Sequence, residues 1–69
     1  MNTQRERKPI EIIEHLDEWS DFMIDQGDVV MARKFKDYAA ELAMNWNTKA
    51  LKEACDLIEK AKDKTGVDL

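Results

Sequence analysis

The chain has 69 residues, a net charge of −4, 43% hydrophobic and 38% charged side chains, two glycines and one cysteine. That length allows one domain, which buries only about 60% of its unfolded surface, and the composition is that of a folded chain with a heavily charged exterior. It excludes an internal disulfide, a membrane-spanning run of about 20 apolar residues and a secretory leader, so a cytoplasmic protein, complete from Met1 and without staples, is expected.

Residues 1–8 are polar and basic and predict a flexible arm, with Thr3 and Glu6 at capping-box spacing. Pro9 has no N–H to offer an interior helix position, so the first helix is predicted from Pro9 to about Gln26. Ile12, Leu16, Trp19 and Met23 recur on one face of it, widened by Ile13, Phe22 and Ile24. Gly27 is the expected stop and Asp28 the N-cap of the next helix. So short a junction makes the two helices antiparallel neighbours.

The stretch Asp28 to Trp46 has no Gly or Pro and is predicted to be the central helix. Met31, Phe35, Tyr38 and Leu42 form a bulky seam, and Ala32, Ala39 and Ala43 form a small one beside it. A helix with both can take a neighbour on each. Gly27, Asp28, Ala32, Ala39 and Leu42 resemble the second half of a tetratricopeptide repeat, in which a turn of this kind precedes an Ala-bearing helix. The resemblance implies a helical hairpin. Leu16 stands where that motif has Trp and Ser20 where it has Gly, no second repeat follows, and the chain is not assigned to the family.

Continuing the bulky seam past Leu42 reaches Asn45, Lys49 and Lys52. The next apolar set, Leu51, Ala54, Ile58 and Ala61, lies about 150° away around a helix at about 100° per residue. A turn between Asn45 and Thr48 is therefore predicted, followed by a third helix from Thr48 to about Lys64, with Gly66 as its C′ residue. The expected fold is all-α, a three-helix up-down-up bundle over residues 9–69. The alternative is a helical hairpin with a long second helix, completed by dimerisation.

Charge is uneven along the chain. Residues 10–28 carry seven acidic side chains and no Lys or Arg. Six of them, Glu11, Glu14, Asp17, Glu18, Asp21 and Asp25, fall on one side of the first helix, opposite Leu16, Trp19 and Met23. Like charges four apart cost a helix about 0.2–0.5 kcal/mol per pair. The stripe is either a solvated face, neutralised in part by Arg33, Lys34 or Lys36, or a docking face for a basic partner. A straight helix splays carboxylates too widely for Ca²⁺, so no metal is expected. His15, flanked by Glu11 and Glu18, reads as a partly exposed histidine bonded to a carboxylate, and Cys55 as a buried thiol at the edge of the third helix.

No nucleophile–base set, phosphate-binding glycine loop or CxxC is present, so neither an enzyme nor a cofactor is expected. Trp46, at the second junction, is read as core or as an interface anchor and is carried as a candidate binding residue. Arg5, Arg7, Lys8, Arg33, Lys34 and Lys36 offer a second class of function, a nucleic-acid-binding regulator, but the acidic total and the lack of interleaved aromatics make that partner the lesser expectation. The leading expectation is a small acidic regulatory protein that binds another protein. Ile10, Ile24, Val29, Val30 and Met44 lie outside the three seams, and a homo-oligomer is expected from them.

Overall fold

The computed structural model describes residues 9–69, so the arm expected over residues 1–8 lies outside the described residues. Three helices follow in order: α1 (Pro9–Asp25), α2 (Val29–Met44) and α3 (Thr48–Thr65). The fold is the all-α three-helix bundle expected, and α2 packs against both neighbours.

The connections follow from local chemistry. At the end of α1, Gly27 takes φ +84°, and its N–H reaches the Ile24 carbonyl while that of Asp28 reaches Met23. This is the two-bond left-handed stop that satisfies carbonyls the helix leaves free. Asp28 then turns round and caps α2, its carboxylate accepting from the Met31 N–H at 3.1 Å. Lys64, from the far end of α3, pairs with the other carboxylate oxygen. At the second junction the chain breaks as the change of phase required. Asn45 and Asn47 are extended, and the Asn47 side chain accepts from the Ala50 N–H at 2.8 Å to start α3. Gly66 ends α3 at φ +73°, its N–H on the Lys62 carbonyl.

The core is Leu16, Trp19 and Met23 of α1, Ala32, Phe35, Ala39 and Leu42 of α2, and Ala50, Ala54, Leu57 and Ala61 of α3. Two seams are rotated from their expected positions. In α2 the buried axis runs between the bulky and the small stripe, so Met31 and Tyr38 are half-buried and Ala43 is exposed. The helix divides its faces between two neighbours, and neither stripe is covered whole. In α3 the buried line is alanine with Leu57, and Leu51 and Ile58 flank it. Three of the four buried positions of that helix are alanines, and its larger Leu51 and Ile58 side chains sit at the edges. Ile24, expected to widen the α1 seam, is exposed.

Ser20 takes a core position instead. It is fully buried, and its hydroxyl donates to the Ala32 carbonyl at 2.9 Å. The bond satisfies the only buried polar side chain among the described residues. It also ties α1 to α2 at that level, serine against alanine.

Truncation of Leu16 or Phe35 to alanine removes a fully buried side chain, which costs about 2–5 kcal/mol. A domain of this size has a total stability of about that magnitude. Thermal melts followed by circular dichroism should show a large unfolded fraction at 37 °C for either variant.

The ion pair with Lys64, and then the Met31 N–H, hold the Asp28 carboxyl below its usual value. A carboxyl lowered by folding adds stability above its unfolded value and loses it as the pH falls through the folded one. Asp28→Asn keeps a capping side chain and loses the charge, whereas Asp28→Ala loses both. At pH 7 the melting temperatures should rank wild type, then Asn, then Ala. The gap between wild type and Asn should begin to narrow as the pH falls below about 4, the unfolded-state value, and close only once the lowered folded value is passed.

Candidate functional site

The six carboxylates singled out in α1 lie on its outer arc, turned away from Leu16, Trp19 and Met23. Five of them, Glu11, Glu14, Glu18, Asp21 and Asp25, are exposed, and Asp17 is half-buried. Three cations stand on the adjacent helix, yet only one reaches the stripe: Lys36 Nζ lies 3.3 Å from Asp17 Oδ1. Arg33 shares a cleft with Lys36 on the outer side of the hairpin, whereas Lys34 faces the α3 side beside Lys60 and Lys64. Arg33 and Lys36 therefore share one side of α2 and Lys34 takes another, so the three do not gather into one patch. Among the described residues Glu11, Glu14, Asp21 and Asp25 have no ion-pair partner.

Glu18 has a weaker companion. His15 Nδ1 lies 3.6 Å from its Oε1. On the other side of the ring, the buried Trp19 indole N–H donates to His15 Nε2 at 3.2 Å. An indole nitrogen only donates, so Nε2 is the accepting nitrogen and Nδ1 carries the ring proton toward Glu18. His15 is thus a partner for Trp19 first and for the acidic arc second. The lone histidine of the sequence did not by itself point to that bond.

Cys55 is exposed, not buried as expected. It stands one step round from Ala54, on a groove between α1 and α3 with Ile12, His15, Ile58, Glu59 and Lys62. The shift of the α3 seam toward its alanines rolls the thiol out of the core. On the opposite side, Lys34, Tyr38, Glu41, Glu53 and Lys60 line a polar groove between α2 and α3. There the Tyr38 hydroxyl donates to Glu53 Oε1 at 3.3 Å. Burial, and then the Glu53 charge, push the phenol above its usual pKa. No three His, Cys, Asp or Glu side chains converge as a metal site among the described residues.

Trp46 leaves the core. It sits in the second turn with 41% of its surface exposed, beside Met44 at 87%. That exposure places Trp46 outside the buried core. The apolar residues expected outside the seams, Ile10, Ile24, Val29, Val30 and Met44, are all exposed. No helix among the described residues is long and apolar enough to cross a membrane.

The chemistry on show is that of surfaces: a carboxylate arc, an exposed indole and apolar side chains in contact with water. No protein-family model matches the chain, and neither a curated protein nor a solved structure matches it.

Proposed function

We propose that this chain is a non-enzymatic interaction protein whose acidic α1 arc docks onto a basic surface of another protein, with Trp46 as an apolar anchor at one end of the bundle. One observation carries the reading. Among the described residues, four carboxylates of the arc stay without a cation although three cations lie on the next helix. Neutralisation from the neighbouring helix, the bland account of such a stripe, is limited to Asp17 among the described residues. The repulsion within α1 is therefore retained, and a basic partner relieves it. A negative arc speeds encounter with such a partner, and the attraction weakens with salt. The spread of Arg33, Lys34 and Lys36 around α2 gives no comparable support to a nucleic-acid partner.

Glu14→Gln, Glu18→Gln and Asp25→Asn together neutralise the outer part of the arc and leave the Asp17–Lys36 pair in place. The melting temperature should hold or rise slightly, because repulsion is removed and no cross-helix pair is lost. Used as bait beside the wild type in a host-cell extract, the triple variant should lose a protein that the wild type retains. The same protein should leave the wild-type bait as salt rises above about 0.15 M. Equal recovery on both baits at every salt would rule the docking role out.

A further inference from the structure

The hairpin of α1 and α2 is covered by α3 on one side only. Ile12 and His15 face Ile58, and Tyr38 faces Glu53, across the grooves on that side. The other side carries Ile10, Ile13, Asp17, Asp21 and Ile24 on α1, within about 80° of helix surface at about 100° per residue. On α2 it carries Val29, Arg33, Lys36, Ala40, Ala43 and Met44, within a similar arc. Four of the exposed large hydrophobic residues lie on this face: Ile10, Ile24, Val29 and Met44. Two exposed alanines between them keep it flat. Ile24 and Val29, with Arg33 and Lys36 at their rim, share one cleft to which no α3 residue contributes.

Contacts within the hairpin set the levels. Asp17 is level with Lys36, Ser20 with Ala32, and Ile24 with Val29. In antiparallel helices of equal rise each step back along α1 matches a step forward along α2. Ile13 is therefore level with Ala40, and Ile10 with Ala43 and Met44. The face has an acidic-and-isoleucine column beside a basic-and-small column, and like character stands at the same height in both.

We infer that this face binds a second copy of the chain, through a two-fold axis that lies in the contact plane parallel to the helices. That axis sets α1 of one copy over α2 of the other and preserves height. Ile24 then meets the partner's Val29, Asp21 meets the partner's Arg33, and Asp17 meets the partner's Lys36. Ile13 meets the partner's Ala40, and Ile10 meets the partner's Ala43 and Met44. At mid-height the two Asp17–Lys36 pairs close into a ring of alternating sign. The other in-plane axis, across the helices, sets acidic α1 on acidic α1 and cation on cation. Like charges face to face disfavour it, so charge selects one of the two symmetric packings. The dimer takes up Asp21, one of the four unpaired carboxylates of the arc, and leaves Glu11, Glu14, Glu18 and Asp25 outside the contact, so the docking role of the arc can fail or stand without it.

The test is sedimentation velocity on the full chain at about 100 µM and below, with circular dichroism to confirm helix content. The wild type should sediment at twice its 8.1 kDa mass at the upper end and dissociate on dilution. A variant with Arg33→Glu and Lys36→Glu makes both columns acidic and should be monomeric. A variant with Asp17→Lys and Asp21→Lys makes both basic and should be monomeric as well. An equimolar mixture of the two should recover the dimer, because acid again faces base at every height. The wild type alone decides the axis, since only the parallel one lets identical chains pair with opposite charges in contact. Ala40→Glu, an exposed change at the centre of the face, should abolish the dimer with no loss of helix. A wild type that stays monomeric at 100 µM would overturn the inference, as would an Ala40→Glu variant that dimerises like the wild type.

Discussion

Trp19 lies almost parallel to Phe35, ring centroids 5.8 Å apart and planes 19° from parallel, and both rings are cut off from solvent. Phe22 meets the same indole edge-on at 5.8 Å. An aromatic contact of this kind adds about 0.5–1.5 kcal/mol beyond the area it buries, a large increment in a domain of this size. The stack joins the middle of α1 to the middle of α2. It also imposes a demand, because a buried indole N–H without a partner is costly. His15 meets it from one turn earlier on the same helix.

With the aromatic stack at one point and Ser20 on the Ala32 carbonyl at another, α1 has one way to lie on α2. That orientation turns the carboxylates outward, since Leu16, Trp19 and Met23 occupy the inner side. It brings Asp17 level with Lys36, leaves Arg33 beside Lys36 on the outer side of the hairpin without an ion pair to the arc, and carries Lys34 round to α3. The open charge on α1 is thus a consequence of how the core is packed. Asp28 ties this hairpin to the third helix: it ends one connection, caps α2, and takes Lys64 from the end of α3.

The third helix contributes alanines to the interior, and this decides what reaches the surface. With Ala50, Ala54, Leu57 and Ala61 on the buried line, Leu51 and Ile58 fall on the flanks and Cys55 outside. Because α3 takes one side of the hairpin, the opposite side keeps Ile10, Ile24, Val29 and Met44 in water. These exposed apolar side chains are what the packing of α3 leaves over on the hairpin.

Much of this was legible in the residues alone, because it depends on local rules. The ends of α1 and α3 and the start of α2 follow from Gly27, Gly66 and Asp28, whose backbone and capping preferences act within a few residues. The break near Asn45 follows from a change of apolar phase, and the acidic side of α1 from its spacing. What the residues could not disclose depends on which neighbour each face meets. Ser20 is polar by type and becomes core only because Ala32 stands opposite with a free carbonyl lone pair. Cys55 and Trp46 are apolar enough for the interior, and packing density elsewhere excludes them from it. Whether the acidic arc is neutralised turns on the angles at which three cations leave α2. Periodicity places a residue on a face, and only the tertiary structure decides what that face touches.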